Sequence, residues 1–292
     1  MIRTSKNLIG FRKNCVNFAQ KFFSIQEKTL PMQNLQYIKQ QLDKYVEKFN
    51  TLEFIDSDPI QIPHRFSLKE DIEISGFLAA TIAWGQRKSI IKNALRLMDL
   101  MDNSPYDFLI NSNENTDWQQ FTGFVHRTFN STDCLFFIKS LKNIYLKHNG
   151  LENVFATGFE KNQTVYGALE YFRAVFLEIP HDKHVEKHLS DVSCNSAAKR
   201  LNMFLRWMVR SDSAGVDFGI WEKIPQSVLM LPLDVHSGNV GRALGLLTRK
   251  QNDWKAVEEI TDVLRTFDAT DPIKYDFALF GAGVNGEIKD KY

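Results

Sequence analysis

The stretch LPLDVHSGNVGRALGLL, Leu231 to Leu247, decides how this chain is read. An apolar run, Leu229 to Leu233, delivers one carboxylate, Asp234, to the start of a helix, and His236 follows two residues later. Ser237, Gly238 and Gly241 are small enough to admit another backbone or a ligand. No acid occurs from Val235 to Asn252, whereas Arg242, Arg249 and Lys250 do. A lone Asp opening a basic helix can aim a carboxylate at a nucleic-acid sugar. The same arrangement also caps an ordinary helix.

Outward from this stretch the periodicity is helical, which predicts an all-α fold. Ser67 and Glu70 have capping-box spacing. Ile74, Phe77, Leu78, Thr81 and Ile82 then recur as one buried face. A second helix begins near Arg87, with Ile90, Ala94, Leu97 and Met101 inward. Phe136–Leu146 and Val165–Leu177 repeat the pattern. Ser196 is placed to cap a helix with Leu201, Phe204, Leu205, Met208 and Val209 inward. Trp254, Val257, Ile260, Leu264 and Phe267 line another. Thr270-Asp271-Pro272 reads as a helix start, with Gly281 and Gly283 ending that helix. Ser227–Leu233 suits either a strand or an irregular buried connection. Asp102–Asp117 and Val209–Trp221 read as polar surface breaks.

The 292 residues suffice for one large domain or two small ones. The 23 Phe suggest thick aromatic packing between helices, and a net charge of +1 confines any polyanion site to local clusters. Cys15, Cys134 and Cys194 are too scattered for a zinc or iron–sulfur pattern, and suit a reducing cytosol. The expectation is a cytoplasmic monomer with no membrane span, no metal and no cofactor. Residues 1–31 are basic and read as a leader, either transit-like or reflecting a start site placed too early. The domain proper is expected over 32–292, with no clear linker.

Several groups carry candidate chemistry. Lys199, Asn202, Arg206 and Arg210 fall on one helical stripe in an acid-free stretch, suited to phosphates or simply to water. Gln86 and Arg87 follow Trp84 and Gly85 in a turn between two helices, a place from which side chains can enter a base stack. His184 and His188 are spaced to share a metal, but Lys183 and Lys187 flank them, which favours a hydrated surface helix. His64, in a two-proline segment, reads as closing a packed loop.

The Leu231–Leu247 stretch resembles the signature segment of the helix-hairpin-helix (HhH-GPD) DNA glycosylase superfamily. Asp234 aligns with its catalytic Asp, His236 with its His, and Arg242 with Leu244-Gly245-Leu246 matches its end. Leu78–Arg87 is similar to the helix turn whose Gln enters the duplex, with Gln86 as counterpart. KRLNMFLRWMVR, PLDVH and DPIKYDFALFGAGV resemble an uncharacterised bacterial family placed in that superfamily. The resemblance implies a two-lobed helical fold with a cleft, a DNA (or RNA) partner and excision of a flipped modified base. Asp234 would be the catalytic carboxylate. Gln86, Arg87, Arg206, Arg210, His236 and Arg242 would contact nucleic acid.

One departure is plain. Where the superfamily has a Gly-rich hairpin carrying Lys, this chain has Ser211–Gly219, with Asp212 and Asp217 and no Lys. An atypical archaeal 8-oxoguanine glycosylase branch places its Lys well before the Asp, which makes Lys199 the candidate nucleophile. The alternatives are a non-catalytic nucleic-acid-binding protein on this fold, or a helical interaction protein in which Asp234 is only a cap.

Overall fold

A computed structural model describes residues 32–288. The expected leader, 1–31, lies outside the described residues. The chain divides into two units, Met1–Gln41 and Leu42–Tyr292, and apart from the start of the first helix everything below concerns the second. Among the described residues the fold is all-α, with short 3-10 turns and no strand. No described helix is long and apolar enough to cross a membrane.

The helices are α1 (Met32–Phe49), α2 (Glu53–Ser57), α3 (Lys69–Thr81), α4 (Arg87–Asp99), α5 (Pro105–Asn111) and α6 (Ser131–Lys147). They continue as α7 (Gly150–Asn162), α8 (Val165–Phe176), α9 (Lys199–Val209), α10 (Val235–Ala243), α11 (Trp254–Phe267) and α12 (Tyr275–Val284).

Every residue of α3 from Ile72 to Thr81 is buried, so this helix is enclosed on all sides rather than amphipathic. Phe77 anchors the aromatic core, its ring 6.1, 5.5, 5.4 and 5.6 Å from those of Phe137, Phe172, Phe176 and Phe204. Gly76 lets α9 come close, since a Cβ there would lie 3.2 Å from Met208 Cε.

α3 also buries a charge-bearing group. Glu73 accepts hydrogen bonds from Tyr145 Oη at 2.6 Å and Trp221 Nε1 at 2.7 Å. Burial nevertheless pushes its carboxyl up to about 6. A folded value above the unfolded one means a stability contribution present at low pH and lost as pH rises through about 6. Relative to Glu73→Gln, the wild type is expected to lose about 2 kcal/mol between about pH 4.5 and about pH 7.5. Urea denaturation of both proteins at the two pH values measures this. A difference that stays level would show that Glu73 does not titrate this way.

Several expected boundaries move. Leu68, not Ser67, precedes α3, and no side chain caps it, so the capping box is absent. α9 starts at Lys199, and Ser196 Oγ accepts instead from the N–H of Ala198 at 3.3 Å. Asp102–Asp117 contains α5, while Val209–Trp221 buries Val216, Asp217 and Trp221. Neither segment is a simple surface break. Ser227 and Val228 end a 3-10 turn, and Leu229 to Leu233 is an irregular connection with Leu229, Leu231 and Leu233 buried. Gly281 and Gly283 do not end α12. They lie within it and admit Phe49 and His236 respectively.

Candidate functional site

The buried 229–233 connection sets Asp234 at the mouth of α10. The N–H of Leu231 donates to Thr261 Oγ1 at 3.1 Å, tying the connection to α11. Asp234 is extended and caps α10. Its Oδ1 accepts from the Ser237 N–H at 2.9 Å and the Ser237 hydroxyl at 3.1 Å, and its own N–H donates to Ser237 Oγ at 3.0 Å. Its carbonyl accepts from Asn252 Nδ2 at 2.8 Å. The half-buried carboxylate is thus oriented through one oxygen, and Oδ2 carries no hydrogen bond among the described residues.

Lys199 opens α9. Among the described residues its Nζ makes no ion pair, and its one hydrogen-bond contact is Met203 Sδ at 3.6 Å. Lys199 and Asp234 do not pair directly, but both act on Asp276 of α12. Burial pushes the Asp276 carboxyl up to about 6; Arg206 and Lys199 oppose this and Asp234 adds to it. Asp58 lies in the same neighbourhood: burial raises its carboxyl, while Arg206, Arg87 and Lys199 pull it down. Arg206 and Lys199 thus act on both buried carboxyls, with Asp234 beside Asp276 and Arg87 beside Asp58. Asp276 and Asp58 were not singled out from sequence. The signal for Asp276 was a carboxylate beside the inward-facing Ile273 and Phe277.

The basic stripe is not a phosphate surface. Asn202, Arg206 and Arg210 are all buried. Arg206 Nε donates to Asp217 Oδ1 at 3.1 Å, and its Nη1 donates to Asp276. Arg210 donates to Asp217 Oδ2 at 2.9 Å, Asp212 Oδ2 at 2.6 Å and Asp271 Oδ2 at 2.9 Å. The ring of Phe277 lies 4.4 Å from the Arg206 guanidinium. The assignment of Arg206 and Arg210 to nucleic acid is therefore corrected, for their charges are spent on these carboxylates. The acids of 211–219 and the arginines of the stripe are each other's partners.

Arg242 is also occupied. It donates to the Arg249 carbonyl at 2.9 Å and to Asn252 Oδ1, and Asn252 in turn holds the Asp234 carbonyl. That makes it a positioning residue behind Asp234. A Cβ at Gly238 would meet its Nη1 at 2.9 Å, which is why this position is small.

Gln86, Arg87 and His236 remain accessible. Gln86 is exposed at the start of α4, after Gly85 with φ +104°. Half-buried Phe280 has the Arg87 guanidinium 5.5 Å from its centroid and the exposed His236 ring 6.0 Å away, edge-on. Gly283 lets α10 and α12 touch here, with His236 Cβ 3.1 Å from where a Cβ would stand. On α4 the exposed Lys88, Lys92 and Arg96 recur every four residues along a shallow groove, where Asp56 and Asp99 also lie. His64 contacts the Val216 carbonyl at 2.8 Å and closes a packed loop, as its sequence context suggested.

The chain has no match among curated proteins and none among solved structures. Residues 58–285 match the family described as "Protein of unknown function (DUF2400)". That span takes in Asp58, the Gln86–Arg87 turn, α9, Asp234 and Asp276, so the chain belongs to the DUF2400 family.

Proposed function

We propose that this chain is a DNA N-glycosylase-like protein that acts on a flipped modified base, with Asp234 as its catalytic carboxylate. The observation that carries this reading is an oriented carboxylate whose second oxygen has no hydrogen bond among the described residues, beside a buried carboxyl, Asp276, on which Lys199 also acts. As the N-glycosidic bond breaks, its electron pair leaves with the base and C1′ becomes oxocarbenium-like. Asp234 Oδ2 stabilises that charge. Water or Lys199 Nζ then bonds to C1′. Attack by the neutral Lys199 amine forms the Nζ–C1′ bond and gives one proton to the departed base; as the C1′–O4′ bond breaks the second amine proton moves to O4′, leaving an imine at C1′ that borohydride reduces to a stable protein–DNA link.

The base must leave the stack to reach Asp234. Gln86 occupies the vacated space, and Arg87, His236 and the Phe280 face border the site. With Arg206, Arg210 and Arg242 engaged internally, phosphate contact falls to Arg87 and to Lys88, Lys92 and Arg96 on α4.

Incubation with duplexes carrying 8-oxoguanine, uracil, alkylated bases or mismatches tests the proposal. Release of a free base from at least one duplex is expected. Salt-dependent binding with no release from any of them would reject catalysis and leave a nucleic-acid-binding protein.

A further inference from the structure

We propose that Asp133, His184 and His188 form a zinc site, independent of the role given to Asp234. Sequence spacing gave only the two histidines and argued for a hydrated surface helix. The structure corrects this: residues 183–188 form a 3-10 turn, His188 is buried, and a buried carboxylate from another helix meets both rings.

The donors converge. Asp133 Oδ1 lies 2.8 Å from His184 Nδ1, and Oδ2 lies 3.2 Å from His188 Nε2. All three donor atoms fall within 4.8 Å of one another. Tetrahedral zinc with bonds of about 2.0–2.1 Å sets neighbouring donors about 3.3 Å apart. The carboxylate is held in place, because Asp133 closes the capping box of α6 and accepts the Asn130 N–H at 2.9 Å.

A second observation points to a ligand. His188 Nε2 is buried yet has no hydrogen-bond partner. Its approach to Asp133 Oδ2 is misaligned, and that oxygen already serves Asn130. A buried imidazole nitrogen without an aligned hydrogen bond is costly, and a cation between it and the carboxylate removes the cost. Two imidazoles and one carboxylate suit zinc rather than magnesium or calcium, which take oxygen ligands. The half-exposed His184 leaves a fourth position for water.

Lys187 is the local competitor, with Nζ 2.6 Å from His184 Nε2. That contact keeps the imidazole proton on Nδ1, facing Asp133. Zinc at Nδ1 moves the proton to Nε2 and displaces the exposed Lys187 amine. The bound ion would lock the 183–188 turn onto α6. The His188 ring lies 5.9 Å from that of Trp84, so the lock extends to the turn bearing Gln86.

The full chain, stripped with chelator and titrated with zinc, tests this. One equivalent should bind and raise the melting temperature. Cobalt in its place should show the ligand-field absorption of a tetrahedral N/O site. His184→Ala, at a half-exposed position that should not disturb folding, is expected to weaken zinc by at least about 100-fold, the upper end for losing even an outer partner. His181→Ala, a nearby histidine outside the cluster, should bind zinc as the wild type does. The proposal is overturned if the wild type retains no zinc, if His184→Ala binds equally well, or if His181→Ala loses as much.

Discussion

Replacing Arg206 by Ala is expected to cost about 3–5 kcal/mol of stability, because it breaks a buried ion pair from one side. The residue is 4% exposed, and its guanidinium serves Asp217 and Asp276 at once. Among the described residues, without it Asp276 has no remaining ion pair and Asp217 keeps only Arg210. The packing against Phe277 goes as well. The deficit should depend on pH with a definite sign. Asp276 already has a folded value above its unfolded one, so its contribution is present at low pH and lost as pH rises through about 6. Removing the cation raises that value further, and the deficit therefore grows from acid toward neutral pH. Chemical denaturation across pH checks this, with exposed Lys92→Ala as a control that should stay within about 0.5 kcal/mol. A small, pH-independent loss for Arg206→Ala would mean that the arginine is not the counterion described.

Where the sequence served well, the signal was local. The period-3.6 pattern found α3, α4, α6, α8, α9 and α11 because their apolar faces recur within one element. It missed α5, which is short and sits in polar surroundings, and α7, which opens on a Gly and carries another within it. Charges were legible one at a time but not in pairs. Arg206 and Arg210 read as a phosphate stripe because no acid lies within the helix that carries them. Asp212 and Asp217 follow just after it but read as a surface break, and Asp271 and Asp276 come from a distant segment, a pairing that leaves no periodic trace. Asp133 was invisible for the same reason, being about fifty positions from the histidines it meets. Asp234 was legible because both its cap role and its resemblance are written in consecutive residues. Shown on the structure is the cap. The chemistry proposed for it rests on the carboxylate oxygen that the cap leaves free.

Asp234→Asn separates those two roles. Asn caps helices about as well as Asp, so stability should change by only a few tenths of a kcal/mol. The amide carries no charge to stabilise an oxocarbenium ion, and losing one such electrostatic group costs about 100- to 1,000-fold in rate. Asp234→Ala, by contrast, would lower both, with about 1 kcal/mol lost from the cap.

The most direct measurement is the rate of base release by wild type and Asp234→Asn on the duplex that the wild type processes best, with urea unfolding of the same preparations alongside. The prediction is superimposable unfolding curves and release at least about 100-fold slower in the variant. Equal rates in two equally stable proteins would contradict it and return Asp234 to the role of a helix cap.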